Sequence, residues 1–406
     1  LYRALINFPH PNDIVIRAMS WWRKLIPRSA PMILVVLTVA AATGFAAVGH
    51  LVSRYTANQQ SRGRKLYNLG LTDAGEGRYG NAIAEFRGAL SCDPTNSQYQ
   101  LSLARALRDS NDPRRLDEAE SYLVALWQRA PQDSAVNLAL ARVAAHRGSI
   151  EDATRYYHNA MYGVWGSDPD QNRNKARIEL IEFLLKKHAL AQADSELIAL
   201  AAALPPNAAD HLQAAQLFAQ AQDYSGALAQ DEQALRSEPS NFQALAGAGQ
   251  AAYRSGQYTI AAHYLRGAVE ADPKDENVKR LLEATELILA SNPFHSHISD
   301  AERNRRIDAA FAEAEDRLIA CARQAGVDLN STQNPTASPL PALQSRWLLA
   351  KPQLRLLRSP AETDLPDAIM DVVFQIEQQT AATCGSPQGK DLALLMISQK
   401  RQAAAQ

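Results

Sequence analysis

His295, Ser296 and His297, followed by Asp300, come nearest in this sequence to a metal site by residue type and spacing. Imidazole nitrogens and a carboxylate are ligands that zinc takes. Two alternate histidines at the start of a linker need not converge, however, and no third ligand is assigned, so no metal is expected. Cys92, Cys321 and Cys384 make no CxxC or CxxCH spacing, which leaves zinc and attached haem without support. No GxGxxG or GxxxxGK[ST] phosphate loop, HExxH or GxSxG motif occurs, and lone Ser, His and Asp residues cannot be assembled into a triad. The sequence therefore predicts no catalytic residue and no cofactor, and the chain is expected not to be an enzyme.

The elements that would position any other chemistry are helical. The chain has 406 residues, 46% of them hydrophobic, which gives room for two or three domains with a real core. Ala dominates and Leu is frequent, whereas Val and Ile are sparse beyond the first fifty residues; Ala and Leu lose little rotamer freedom in a helix. Forty-two basic residues nearly cancel 43 acidic ones, so no global charge argues for nucleic acid. Any electrostatic signal has to be local.

From Met32 to Val52 the sequence reads MILVVLTVAAATGFAAVGHLV, with no Asp, Glu, Lys or Arg between Arg28 and Arg54. At about 1.5 Å per residue this run matches the roughly 30 Å of a bilayer's hydrocarbon core, and it predicts a transmembrane helix over 32–53 after an N-terminal tail, 1–31. Trp21 and Trp22 beside Arg23 and Lys24 look like an interfacial belt. A buried core helix and a cleaved signal peptide, with Ala47 and Gly49 as a weak cleavage site, are the competing readings. The first residue is Leu1 and not Met, which suggests an alternative start codon or a fragment; Met19 would open a compact charged leader, and whether 1–18 are native stays open. Arg17, Arg23, Lys24 and Arg28 balance Arg54, Arg62, Arg64 and Lys65 across the run. Nearest the membrane the N-terminal side leads, which places the short tail inside and the large domain outside the cytoplasm.

One phrase recurs after the apolar run: a small residue, a bulky one four later, a small one three later, and Pro five further on. It appears as Ala82-Phe86-Ala89-Pro94, Ala119-Leu123-Leu126-Pro131, Ala193-Leu197-Leu200-Pro205, Ala227-Asp231-Ala234-Pro239 and Ala261-Leu265-Ala268-Pro273, with Ala153-Tyr157-Ala160 lacking its Pro. Successive alanines are 37, 34, 40, 34 and 34 residues apart. Upstream of them stand Leu66-Leu69-Gly70, Leu103-Ala104-Leu107, Leu140-Ala141-Ala144, Ala214-Ala215-Phe218 and Leu245-Ala248-Gly249, with a divergent unit around Leu180-Ile181-Leu184. Small residues let helices approach and bulky ones fill the gap between them; Pro, tolerated in a first turn, is expected to begin the next unit. Gly77-Arg78-Tyr79, Arg147-Gly148, Gln222-Asp223-Tyr224 and Ser255-Gly256-Gln257-Tyr258 read as turns within units. Additional residues are expected at Asp112-Pro113-Arg114 and from Gly163 to Asn174.

These residues resemble the tetratricopeptide repeat, a 34-residue helix-turn-helix unit, over six repeats spanning 63–275. The resemblance implies an all-α fold, a right-handed α-α superhelix, here preceded by one transmembrane helix. A solvating cap helix is expected over 276–291 and a small helical bundle over 299–402. With the anchor, it suggests a membrane-anchored protein of bacterial type in the inner membrane. First helices line the concave surface in this family, and its inward positions fall here on Arg64, Tyr67, Arg105, Arg108, Asp109, Arg142, His146, Lys175, Glu182, Lys186, Gln216, Gln220, Gln250, Tyr253 and Arg254. Cations outnumber carboxylates there, which suggests an acidic or carboxylate-bearing protein partner, because Arg forks pair bidentately with carboxylates. A solvated face with incidental charge is the competing reading. Chaperone-binding members clamp a terminal carboxylate with a Lys-Asn pair where this chain has Tyr67 and Leu71, so no chaperone-tail clamp is expected.

Beyond Asn292-Pro293 the rhythm stops. Helix patterns follow over 299–325, through Ile307, Phe311, Ala314, Leu318 and Cys321, then over 343–357, 366–383 and 390–402. Trp347 and Leu348, Ile369, Val373 and Ile376, and Leu392, Leu395 and Met396 mark their apolar stripes, after a Pro-rich linker from Asn334 to Pro341. Cys321 near a helix end and Cys384 in a Cys-Gly turn could pair across the bundle, as an oxidising compartment would allow; two reduced core cysteines are the alternative. The function expected is a membrane-anchored scaffold that binds another protein through its groove, with no nucleic acid. An accessory part in cell-envelope assembly or polysaccharide export is the second reading, and a transferase with an unrecognised catalytic site the third.

Overall fold

The computed structural model describes residues 30–330, 338–358 and 364–405. The interfacial residues Trp21 and Trp22, the flanking Arg17, Arg23, Lys24 and Arg28, and 331–337 of the Pro-rich linker lie outside the described residues. The chain is all-α and divides after Trp165 into two compact units. Among the described residues no strand forms; one bridge pairs Asp133 with Val164.

The first unit starts with α1 (Ala30–Gly75), 46 residues without a break. The sequence predicted a membrane segment ending near 53 and a separate repeat helix from 63. Residues 54–62 hold neither Gly nor Pro, so nothing stops the backbone hydrogen-bond ladder between them, and the two are one rod. At about 1.5 Å per residue its length is roughly 70 Å. The side chains from Met32 to Val52 pack against nothing, Phe45 being 84% exposed. Three hairpins follow from the far end of this rod: α1 with α2 (Tyr79–Cys92), α3 (Ser97–Asp109) with α4 (Pro113–Arg129), and α5 (Ser134–Arg147) with α6 (Ile150–Tyr162). Phe86, Leu103, Leu107, Leu123, Leu126 and Leu140 share their core with the small residues Ala82, Ala104, Ala119 and Ala139. The small positions set the helix spacing: a Cβ on Gly70 would stand 2.7 Å from the Phe86 ring.

The second unit opens with three more hairpins: α7 (Pro169–Lys186) with α8 (Leu190–Ala203), α9 (Ala208–Gln220) with α10 (Tyr224–Ser237), and α11 (Phe242–Arg254) with α12 (Tyr258–Ala271). Ile181, Leu197, Leu200, Phe218 and Leu265 fill their core. After α13 (Glu276–Ser291) come α14 (Asp300–Ala325), α15 (Leu340–Ala350) with a short 3₁₀ helix (Lys351–Arg358), α16 (Leu365–Cys384) and α17 (Gly389–Ala405). Their core gathers Ile307, Phe311, Leu318, Trp347, Ile369, Val373 and Ile397.

Three local expectations are corrected. The prolines do not begin the next helix: Pro94, Pro131, Pro205, Pro239 and Pro273 stand between helices, blocking the one behind. The next helix is started two residues later by an Asn or Asp, Asn96, Asp133, Asn207, Asn241 or Asp275, whose side chain accepts from backbone N–H groups of the first turn. Each such cap contributes about 1 kcal/mol. The extra residues of the second repeat lie where they were expected, at the start of its second helix. Asp112 caps α4 with Pro113 at its start, and the insertion lengthens that helix to 17 residues, against 14 for α2, adding nearly one full turn and so keeping the buried face in register. Within 163–174, where additional residues were also expected, α7 begins at Pro169, and Val164 is tied back through Ser134 N–H to its carbonyl at 3.1 Å. Helix α13 is not a solvating cap, because it packs against α17 as well as α12 and Ile288 joins the C-terminal core. Finally, 343–357 is not one α-helix. Pro352 has no N–H to donate, so the α-helix ends at Ala350 and a 3₁₀ segment continues; Leu348 is exposed, and α17 buries Leu394 and Ile397 rather than Leu392.

Candidate functional site

In the first unit, the face made by first helices carries a cluster of arginines. Arg105 and Arg108 sit on α3 one turn apart, and Arg142 stands on α5 next to them. All three are half-buried because Leu103, Leu107 and Leu140 pull their helices into the core. Burial holds the Arg105 guanidinium below its ordinary pKa, and the positive charges of Arg142 and Arg108 push the same way. Arg108 pairs with Asp109 at 2.7 Å, yet its Nη1 and the Arg105 Nε have no hydrogen-bond partner. Buried guanidinium donors without acceptors are costly.

The remaining residues named from sequence separate into two kinds. Arg64 and His146 in the first unit, and Lys175, Glu182, Lys186, Gln216, Gln220, Gln250 and Arg254 in the second, are exposed on their first helices. Tyr67 and Tyr253 are engaged in packing. Tyr67 stacks on Tyr99 at 4.8 Å, touches Phe86 and meets Ser102 through its hydroxyl at 3.2 Å. Tyr253 lies edge-on to Tyr258 at 5.7 Å and packs against the C-terminal core, whose α14–α17 helices the resemblance did not anticipate there. Lys175 lines a cavity of about 580 Å³ between α7, α8 and α9, with Arg173, Leu204 and Gln213. Gln216, Gln250 and Arg254 line another of about 430 Å³ between α9, α10 and α11.

That second cavity contains a residue the groove assignment omitted. Asp231, from α10, is 3% exposed, lines the cavity and makes no hydrogen bond or ion pair among the described residues. Burial raises its pKa to about 8. It occupies the bulky position of its repeat, where the other units hold Phe86, Leu123, Tyr157, Leu197 and Leu265. The signal was therefore present, as the one carboxylate in a column of apolar side chains. Gly247 on α11 admits it: a Cβ there would stand 2.6 Å from its Oδ2.

The histidine pair does not converge. His295 Nδ1 lies 2.8 Å from the Ser296 carbonyl oxygen, and Asp300 is paired with Arg303 at 3.0 Å. Among the described residues no group of three His, Cys, Asp or Glu side chains is placed to hold a metal. Cys321 and Cys384 are joined as a disulfide between α14 and the end of α16, with their Cα atoms 5.7 Å apart; Cys92 is free.

Paired helices recurring at about 34 residues make this a helical-repeat fold of the tetratricopeptide type. No family model matches the chain. Among solved structures it is similar to pilF of Pseudomonas aeruginosa at 16% identity, over 56% of this chain and 99% of that one, with a TM-score of 0.38. It is similar to PilW, a type IV pilus biogenesis factor, at 16% identity, over 54% and 98%, with a TM-score of 0.39. The TPR domain of P58(IPK) matches at 13% identity over 84% of this chain and 99% of that one, with a TM-score of 0.27.

Proposed function

We propose that this chain is a membrane-anchored scaffold that docks an acidic segment of another protein on the first-helix face of its repeats. The observation that carries the reading is the cluster of Arg105, Arg108 and Arg142. Three half-buried guanidinium groups form a positively charged surface that an anion would balance. A carboxylate-bearing segment would complete it with charge-assisted hydrogen bonds.

The anchor follows from α1. Its window of mean hydropathy 2.2 is wholly unburied, and a lipid bilayer is the environment that would cover it; by length and composition it can cross one. Because α1 runs unbroken into the first hairpin, the repeats would stand on a rigid stalk close to the bilayer. The Cys321–Cys384 disulfide supports a position outside the cytoplasm, where such bonds persist.

Reversal of Arg105, Arg108 and Arg142 to Glu tests the docking reading. With helix content held, as seen by circular dichroism, the variant is expected to lose the partners that the wild type retains after crosslinking in intact membranes. Undiminished recovery would refute the arginine face. For topology, a cysteine placed at exposed Lys187 should react with an impermeant maleimide on intact cells; protection until lysis would reverse the orientation.

A further inference from the structure

The cavity over Asp231 has the chemistry of a site for a cation. A carboxylate that is 3% exposed normally has a cationic or hydrogen-bonding partner inside the fold, since burying a charge without one costs several kcal/mol. Asp231 has none, and its helix could have carried Leu at this position, as other repeats do. The cavity it lines holds about 430 Å³ and opens on the same face as Gln216, Gln250 and Arg254. Tyr224 and Phe242 supply aromatic rings, and Ala215, Ala219, Ala246, Gly247 and Ala251 supply a smooth wall of small groups. His211, the nearby imidazole on α9, is turned away to Gln230 at 2.9 Å. Arg254 shares the lining without pairing with the carboxylate.

We propose that this cavity is a lysine-accepting subsite of the docking face, in which the ε-ammonium of a partner polypeptide pairs with Asp231. A lysine fits the shape of the problem. Its ammonium is compact and its four-carbon stem flexible, so the charge can reach a recessed carboxylate while the stem lies along the alanine wall. The two rings add cation–π attraction. Glutamine amides at the mouth leave room for main-chain hydrogen bonds from an extended segment. The proposal deepens the scaffold reading and rests on it in taking the first-helix face as the docking face. It adds a specificity element for the repeats of the second unit: a partner carrying a lysine. Asp231 is also protonated at neutral pH in the empty protein, its pKa lying near 8, so that binding of an ammonium should expel one proton.

The test uses the full chain in lipid nanodiscs against immobilised ten-residue peptides, randomised except at one central position that carries Lys, Arg, Nε-acetyl-lysine or norleucine. The wild type is expected to retain Lys peptides about tenfold over acetyl-lysine and norleucine peptides, the order of preference that charge-assisted contacts give. Asp231→Asn should bring that ratio near one, and Asp231→Leu, which restores the repeat's apolar position, should keep the fold and also lose it. Equal Lys preference in the wild type and both variants would overturn the proposal. So would retention of peptides with no Lys preference, which sinks the subsite and leaves the arginine face standing. Retention of no peptide at all counts against both. Free cadaverine added as competitor separates the sources: Asp231-dependent binding of the diamine without any Lys preference among peptides would mean a free amine, not a polypeptide, and would refute the assignment.

Discussion

Replacing Asp231 by Asn keeps the shape of the side chain and removes its charge, so the difference between the two proteins isolates one buried carboxylate. Its pKa is raised from an ordinary 3.8 to about 8, by burial. Between those values the folded protein holds a proton there that the unfolded chain has released, so stability is fullest at low pH and declines as pH rises through the window, levelling off above about 8. At about 1.36 kcal/mol per pH unit, the whole window is worth roughly 6 kcal/mol, and about 3 to 4 kcal/mol of it falls between pH 5 and pH 8. Tyr224 and Arg254 are the other ionisable groups on the cavity wall. Urea denaturation of wild type and Asp231→Asn at several pH values reads the effect as a difference of midpoints, which cancels every other titrating group. The wild type should lose ground steadily on the variant as pH rises. A constant difference from pH 5 to pH 8 would show that the carboxylate is solvated or paired, and the argument for an empty cation subsite would go with it.

A second buried acid should behave alike. Glu377 on α16 is 0% exposed, both its oxygens lack partners, and burial followed by the nearby Asp391 raises its pKa to about 8; Glu377→Met should raise the stability at pH 8 by about 1–4 kcal/mol, measured by the same titration. Non-reducing digestion and mass spectrometry should find Cys321 and Cys384 in one linked peptide. Cys384→Ala should cost about 4 kcal/mol, the chain-entropy value for a loop of 63 residues, and a melting temperature unchanged by reductant would argue against the bond. Gly249→Ala should destabilise by about 1–3 kcal/mol, since the new Cβ would stand 2.6 Å from Leu265 Cγ. Gly80→Ala, with nothing within 4 Å, should instead be neutral or slightly stabilising in thermal melts.

The hairpins could be seen in the sequence because their cause is local and periodic. Small and bulky residues at fixed spacing decide which helix faces meet, and Gly148 or Gly256 can adopt the positive φ that ends a helix whatever surrounds it. The apolar run was legible for the same reason, hydropathy being a property of the segment itself. The caps of α3, α5, α9, α11 and α13, Asn96, Asp133, Asn207, Asn241 and Asp275, are local signals of the same kind. Other features depend on partners distant in the chain. Nothing local says that α17 returns to cover α13 or that Tyr253 is drawn into the C-terminal core. The arginine face was visible only as a set of charges; that Arg105 and Arg108 are half-buried with unfilled donors follows from how deeply α3 is packed. Asp231 shows the division most clearly. Sequence marks it as a carboxylate in an apolar column, but an unpartnered charge is defined by what fails to surround it, and that is settled only when α9, α10 and α11 close around the same space.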